Sequence, residues 1–138
     1  MADDADEKFM RVALAEARKG LGAVSPNPAV GAVLVREGRV VASGYHRARG
    51  LPHAEIECLS TAPAGSLGTA TLYVTLEPCS TIGRTPPCTD AIVRAGVRRV
   101  VVGAHDPNPA HRGRGIRELA AAGIEVTSGV LVNECSCL

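Results

Sequence analysis

Residues 69–104, TATLYVTLEPCSTIGRTPPCTDAIVRAGVRRVVVGA, contain the alternation of elements that decides the fold. The apolar, β-branched run at 69–76 predicts a strand, and the segment 85–96 predicts a helix that ends at a glycine. Residues 97–104 predict a second strand, and the apolar run from Val100 to Val102 is typical of a parallel strand covered on both faces. This stretch therefore predicts a βαβ unit with a right-handed crossover.

The chain after this unit continues the alternation. Residues 114–123 predict a helix and residues 124–132 predict a short final strand, which completes a βαβαβ pattern. We find no internal repeat, low-complexity tract or linker in the sequence. The sheet is therefore expected to contain three parallel strands.

The chain before the unit predicts a helix and a hairpin. Apolar residues recur at helical spacing over 9–17. The segment 29–46 contains two β-branched runs separated by a turn at Glu37 and Gly38, which is a hairpin signal. With a further helix before residue 69, the whole sequence predicts a three-layer α/β/α sandwich around a mixed five-stranded sheet.

Length and composition predict one globular domain. The 138 residues suit a single domain, 1–138, with a complete core and a tail at about 131–138. Hydrophobic residues make up 46% and charged residues 21%, unlike a disordered chain. The net charge of +1 provides no basic field that would attract nucleic acid, so a small substrate is favoured.

The lack of a recognisable targeting signal, together with the cysteine usage, predicts a cytoplasmic protein. The first 20 residues lack a basic region followed by an apolar core and a cleavage site, and no segment approaches about 20 continuous apolar residues. The five cysteines are an odd number in a chain without a recognisable export signal, which argues against a disulfide framework. Metal or thiol chemistry is the better expectation for them.

Residues 51–60, LPHAEIECLS, place a histidine and a glutamate at the start of a predicted helix. This helix should run from Pro52 to about residue 62, because proline suits the first helical position. On a helix body His53 and Glu55 would point to nearly opposite sides, since each residue turns about 100°. At the first turn both side chains can lean over the helix end, so we expect them to share a site there.

His53 is expected to meet Cys79 and Cys88. The loop 77–88 joins the end of a strand to the start of a helix, so it lies at the edge of the sheet formed by the carboxyl ends of the parallel strands. Ligands of open α/β sheets usually bind at that edge. The helix start should favour the thiolate form of Cys88. One imidazole and two thiolates suit Zn²⁺, and three protein ligands leave the fourth position for water. The sequence therefore predicts a catalytic zinc site.

Glu55 is the candidate proton shuttle of this site. A carboxylate that is not a ligand can move the proton of a zinc-activated water. His-x-Glu followed by Pro-Cys and a second cysteine is the signature of the zinc deaminases, which release ammonia from a base.

The alternative is a closed zinc site, or cysteines that are simply buried. A closed site needs a fourth ligand, but Cys58 is expected to face the core. Cys135 and Cys137 lie in the terminal segment, where a solvated tail is the ordinary case. Neither is expected to be a ligand.

Five motifs cover about residues 8–130 in order: SPNPAVGAVLV, GYH, PHAE, LEPCSTIGRTPPC and DPNPAHRGRG. They resemble the deaminase domain of the bifunctional riboflavin-biosynthesis deaminase/reductase, a diaminohydroxyphosphoribosylaminopyrimidine deaminase of the cytidine deaminase-like superfamily. The segment 80–87 between the paired cysteines makes the resemblance specific, because most zinc deaminases have only two residues there.

The resemblance implies a cytidine deaminase-like fold and hydrolytic removal of the 2-amino group from a diaminopyrimidinone that carries a ribosylamino 5′-phosphate. It also implies that His53, Cys79 and Cys88 are the zinc ligands and that Glu55 is the proton shuttle. Asn27, His46 and Arg84 resemble substrate-binding residues, and Arg84 could bind a phosphate. Family members commonly form dimers or tetramers, so a homo-oligomer is expected.

Three features depart from the family's pattern. The reductase domain that usually follows is not among the 138 residues. Thr81 stands where a pocket histidine is usual, and Arg49 stands where a small alanine is common. His111 and Arg112 replace small or apolar residues. We therefore expect an altered substrate wall that includes Thr81 and Arg49.

Two other functions stay open. The altered wall suits a specialised secondary-pathway deaminase of a related pyrimidine or purine base or nucleotide. A non-catalytic zinc module of the same fold is the other, although the presence of Glu55 argues for catalysis. A polynucleotide substrate is disfavoured because the chain has few aromatic residues for base stacking and no long basic stripe. No membrane partner is expected.

Overall fold

The computed structural model of the chain describes residues 4–23, 29–48, 51–63, 67–79 and 87–138. The strands are β1 (Gly31–Arg36), β2 (Arg39–Tyr45), β3 (Thr71–Leu76), β4 (Arg99–Ala104) and β5 (Glu125–Ser128). The helices are α1 (Asp4–Arg18), α2 (Ala54–Ser60), α3 (Cys88–Ala95), α4 (Arg114–Ala121) and α5 (Val132–Ser136). None of the helices in these ranges combines the length and apolar character that a membrane crossing requires.

The strands form one mixed sheet in the order β2-β1-β3-β4-β5. Strand β1 pairs antiparallel with β2 and β3, whereas β4 pairs parallel with β3 and β5. In the hairpin turn, Glu37 (φ 53°) and Gly38 (φ 75°) both have the left-handed backbone that a two-residue type I′ turn requires. The predicted hairpin and parallel βαβαβ unit are confirmed.

Helices cover both faces of the sheet. One buried cluster, packed under α2, α3 and α4, contains Leu72 and Val100, and the other, packed under α1 and α5, contains Tyr73 and Val101. Successive residues of a strand point to opposite faces, so neighbours in sequence join different clusters. The predicted three-layer α/β/α sandwich is therefore confirmed.

Helix α1 packs directly on the backbone of β1 at Gly31. A Cβ atom at Gly31 would lie inside contact distance of backbone atoms of Ala13 and Ala17. Gly31→Ala is therefore expected to lower the free energy of unfolding by about 1–3 kcal/mol, because helix or strand must shift. Urea denaturation measures this loss. Gly68→Ala is the matched control, because a Cβ there meets open space, and equal stability of the two variants would contradict the packing.

A buried ion pair joins α1 to the amino end of β4. Asp6 is 1% exposed, and both Nη atoms of Arg99 donate to its carboxylate, at 2.8 and 2.9 Å. The Tyr73 hydroxyl donates to the same carboxylate at 2.7 Å. This hydrogen-bonded group holds α1 against β3 and β4 at the amino ends of those strands.

Arg99→Met should lower the free energy of unfolding by about 3–5 kcal/mol, because it leaves the Asp6 carboxylate buried without its cation. Chemical denaturation measures the change. Arg11→Met, which breaks an exposed pair with Glu7, is the control and should shift the midpoint little. A loss at Arg99 no larger than the loss at Arg11 would contradict a stabilising role for the buried pair.

The predicted start of the second helix is wrong by two residues. Helix α2 begins at Ala54, and His53 is its N-cap with an extended backbone at φ −69° and ψ 164°. Pro52 therefore precedes the cap and does not occupy the first helical position. An extended N-cap leaves the His53 ring outside the helical turn.

The predicted tail at 131–138 is also wrong. This segment contains α5, which packs on β4. Cys135 is 5% exposed, and its Sγ lies where a Cβ of Gly103 would be. The segment is helical, and Cys135 packs on the sheet at a position where β4 has no side chain.

Candidate active site

The predicted site forms at the carboxyl edge of β3 and β4. Leu76 and Ala104, the last residues of these strands, pair with each other in the sheet. Cys79 follows β3, while the starts of α2 and α3 bring His53 and Cys88 to the same place. The three predicted ligands are therefore brought together.

The His53 ring faces both sulfur atoms. Its Nδ1 lies 3.3 Å from Cys88 Sγ and 3.8 Å from Cys79 Sγ. The three ligand atoms lie within 4.8 Å of one another. The side chain of His53 makes no hydrogen bond to the backbone of α2, so the ring can turn toward the cysteines.

The start of α3 also favours the thiolate form of Cys79, which the sequence did not predict. The Cys88 backbone N–H donates to Cys79 Sγ at 3.3 Å. Hydrogen bonds from the Cys88 side chain, from His53 and from this N–H lower the pKa of Cys79 to about 4. The bond to Cys79 and burial raise the pKa of Cys88. A metal bound by both sulfurs would release the proton of Cys88.

This donor set fits zinc. A tetrahedral zinc ion with bonds of about 2.1 Å to nitrogen and 2.3 Å to sulfur holds those atoms about 3.6 Å apart. The observed nitrogen-to-sulfur distances of 3.3 and 3.8 Å lie on either side of this value. Three protein ligands of these types are the number found in catalytic zinc sites.

Glu55 lies in the first turn of α2 and lines the same cavity as His53 and Cys79. It is 3% exposed. Burial raises the pKa of Glu55 to about 7, against the opposing effects of its own backbone N–H and of the charge on His53. A carboxyl group with such a pKa can accept and release a proton near neutrality.

The cavity beside these residues has a volume of about 280 Å³. Its walls combine apolar side chains with acids and imidazoles, which suits a small polar heterocycle. The residues that line it are Val30, His46, His53, Glu55, Leu76, Glu77, Cys79, Asp106 and Pro107.

His46 follows β2 and lies in this cavity wall. It is 5% exposed, and its ring stands edge-on to the His53 ring at 5.2 Å between centroids. Its Nδ1 lies 3.1 Å from the Pro52 carbonyl oxygen. A carbonyl oxygen only accepts, so Nδ1 carries the hydrogen and Nε2 is the atom suited to a ligand.

Two acidic residues of the cavity, Glu77 and Asp106, were not predicted from the sequence. Glu77 directly follows β3, and Asp106 lies two residues after β4. Both residues follow predicted parallel strands, as Cys79 does, and residues at that position lie at the carboxyl edge of the sheet. This position in the sequence could have identified both.

Four of the predicted substrate-binding residues lie outside the described residues, and their roles stay predictions. They are Asn27, Arg49, Thr81 and Arg84. Arg112 is exposed.

The three remaining cysteines are separate from the candidate ligands. Cys58 belongs to the core cluster under α2, which confirms its predicted direction. Burial raises the pKa of Cys58 and of Cys135 to about 12. Cys137 is exposed at the end of α5.

Comparison with known proteins identifies the family. Residues 3–104 match the family described as the cytidine and deoxycytidylate deaminase zinc-binding region. The chain is 53% identical to the riboflavin biosynthesis protein RibD of Aquifex aeolicus over 134 residues. The aligned region covers 97% of this chain and 37% of that protein.

Solved structures agree with this match. RibD of Acinetobacter baumannii superposes with a TM-score of 0.93 at 44% identity, over 97% of this chain and 37% of that one. The diaminohydroxyphosphoribosylaminopyrimidine deaminase/5-amino-6-(5-phosphoribosylamino)uracil reductase of Thermotoga maritima gives a TM-score of 0.91 at 48% identity, over 96% and 38%. The predicted fold and resemblance are confirmed.

The chain spans little more than a third of the length of these relatives. The family match includes His53, Cys79 and Cys88, and the family is a zinc-binding one, which confirms zinc as the predicted cofactor. This chain belongs to the cytidine and deoxycytidylate deaminase zinc-binding family.

Proposed function

We propose that residues 1–138 form one deaminase domain, which hydrolytically removes the 2-amino group of the diaminopyrimidinone ribosylamino 5′-phosphate of riboflavin biosynthesis. The observation that carries the proposal is the cavity in which Glu55 lies beside His53 and Cys79. Relatives that match nearly the whole chain are named as riboflavin biosynthesis proteins, and the Thermotoga maritima protein is named for this deaminase activity.

His53 through Nδ1, and Cys79 and Cys88 through Sγ, are the proposed zinc ligands. When bound, zinc supplies Lewis-acid activation of a water molecule. His53 is the N-cap residue of α2 and Cys88 is the first residue of α3, so two of the three ligands are positioned by the starts of helices. Ligands held in this way need little rearrangement on binding metal.

Glu55 is the proposed proton shuttle. Water adds to the ring carbon that carries the amino group, the carbon–nitrogen bond breaks, and the products are a ring carbonyl and ammonia. The Glu55 carboxylate accepts one proton from the attacking water and passes it to the adjacent ring nitrogen. It then moves the remaining hydroxyl proton to the departing amino nitrogen, so that the ring carbonyl forms, ammonia leaves and both protons of the water are accounted for. Its burial supports this role, because bulk water is excluded from the group that carries the proton.

The cavity volume supports a single heterocycle as the reacting group. A space of about 280 Å³ is at the small end of ligand pockets. The ribosylamino phosphate would therefore extend past the rim. The proposed substrate contacts are His46 in the cavity wall and the predicted residues Asn27, Arg49, Thr81 and Arg84.

Ammonia release by the zinc-loaded protein tests the proposal. The substrates are the diaminopyrimidinone ribosylamino phosphate, its dephosphorylated form, and cytosine and guanine derivatives. We expect turnover of the phosphorylated compound and at least tenfold weaker kcat/KM without its phosphate. Equal kcat/KM for both forms would contradict a phosphate contact.

The same panel separates the alternatives. Turnover of another base in place of the diaminopyrimidinone would indicate a specialised deaminase. No ammonia from any substrate, despite one bound zinc per chain, would indicate a non-catalytic zinc module.

Assembly and location are proposed from the resemblance. We expect a homo-oligomer, a dimer or a tetramer, in the cytoplasm. Analytical ultracentrifugation measures the assembly, and a purely monomeric species at assay concentration would contradict it.

A further inference from the structure

Glu77 is a buried carboxylate that binds the loop after β4. It is 5% exposed. Its Oε1 accepts hydrogen bonds from the backbone N–H groups of Asp106 and Gly113, both at 3.0 Å, and its Oε2 accepts one from Ile116 at 3.3 Å. The three donors span the whole of the connection from β4 into α4.

The backbone on either side of this carboxylate is held equally closely. The Glu77 N–H donates to the Ala104 carbonyl oxygen at 2.8 Å. A Cβ at Gly115 would clash with the Pro78 carbonyl oxygen, so the start of α4 lies directly on the residue before Cys79. Glu77 therefore joins the segment that carries a proposed zinc ligand to the loop 105–113.

The loop held by Glu77 is part of the cavity wall. Asp106 and Pro107 line the cavity together with Glu55. The loop has its own short hydrogen bonds, from Asn108 N–H to Asp106 Oδ1 at 2.9 Å and from Ala110 N–H to Asn108 Oδ1 at 3.0 Å. These local bonds determine the conformation of the loop itself, whereas the hydrogen bonds to Glu77 determine where the loop lies relative to Glu55.

We propose that Glu77 is a positioning residue, which sets the Asp106–Pro107 wall at the distance from Glu55 that substrate binding requires. This inference rests on the proposed function, because it takes the cavity as the substrate site. A carboxylate suits this position, because its two oxygens accept several N–H hydrogen bonds at once and donate none. An amide in its place would turn an NH₂ group toward one of the donors.

The test compares Glu77→Gln and Glu77→Ala with the wild-type enzyme. We expect KM to rise about tenfold in Glu77→Gln and about a hundredfold in Glu77→Ala, with smaller losses in kcat, because the wall is misplaced while Glu55 and the zinc ligands remain. Zinc content should stay at the wild-type level. Hydrogen exchange should accelerate at the amides of Asp106, Gly113 and Ile116.

Asp6→Asn is the matched control, because it makes the same carboxylate-to-amide change in a buried residue at the other end of the sheet. It should lower the melting temperature without raising KM. A wild-type KM in both Glu77 variants, or a KM rise of equal size in Asp6→Asn, would overturn the inference. Loss of zinc in parallel with activity would also overturn it, because Glu77 would then act on the metal segment.

The exchange measurement separates this inference from the proposed function. If the wild-type protein deaminates none of the substrates tested, the proposed function fails irrespective of Glu77. If the amides of Asp106, Gly113 and Ile116 exchange at the wild-type rate in Glu77→Ala, the inference fails whatever the substrate is.

Discussion

Replacing Glu55 with glutamine is expected to lower kcat for ammonia release by roughly 10²- to 10⁴-fold while zinc stays bound. Glutamine keeps the size of the side chain but cannot accept a proton from water and return it to nitrogen. The large effect is expected because Glu55 is buried in the cavity wall, where solvent cannot replace the lost carboxylate.

The measurement is the initial rate of ammonia release at equal zinc content. Glu57→Gln is the matched control, since it makes the same change one half-turn along α2, where the carboxylate lies 3.8 Å from the Arg47 guanidinium. Its rate should stay near the wild-type value. A wild-type rate in Glu55→Gln would contradict the proton-shuttle role, as would an equal loss in Glu57→Gln.

Removing one proposed ligand should have an effect of at least the same size. Cys88→Ala is expected to reduce bound zinc well below one per chain under a weak chelator, and to reduce ammonia release to background. The physical reason is that His53 and Cys79 alone leave two ligands, which is fewer than zinc sites in proteins use. Loss of the Cys88 sulfur also removes the neighbour of the Cys79 thiolate.

Metal analysis and activity on the same samples check this prediction. Cys137→Ser is the control, because Cys137 is exposed at the end of α5. It should retain both zinc and activity. Full zinc content in Cys88→Ala, or loss of zinc in Cys137→Ser, would contradict the assignment of the ligands.

The sheet and the metal cluster could be predicted because local signals determine them. Glu37 and Gly38 specify a two-residue turn by their own backbone preference. The uninterrupted apolar residues of β4 indicate a parallel strand covered on both faces. His53, Cys79 and Cys88 carry an unusual combination of ligand atoms, and the topology of a parallel sheet brings them to one edge.

Other features depend on contacts between distant residues and could not be predicted. The place of Glu77 at the sheet edge follows from the topology, but its hydrogen bonds from the N–H groups of Gly113 and Ile116 form only once the start of α4 packs against it. Cys135 looks like part of a tail until Gly103 leaves room for its sulfur. The hydrogen bond from the Cys88 N–H to Cys79 Sγ joins residues nine apart in the sequence, and local signals do not predict it.

The most direct test of the account is a single turnover of the diaminopyrimidinone ribosylamino phosphate in ¹⁸O-labelled water, with protein of known zinc content. We expect one ammonia and one labelled oxygen in the product per turnover, at a rate proportional to bound zinc and greatly reduced in Glu55→Gln. No ammonia at one zinc per chain, or an unchanged rate after zinc removal, would contradict hydrolytic deamination at this site.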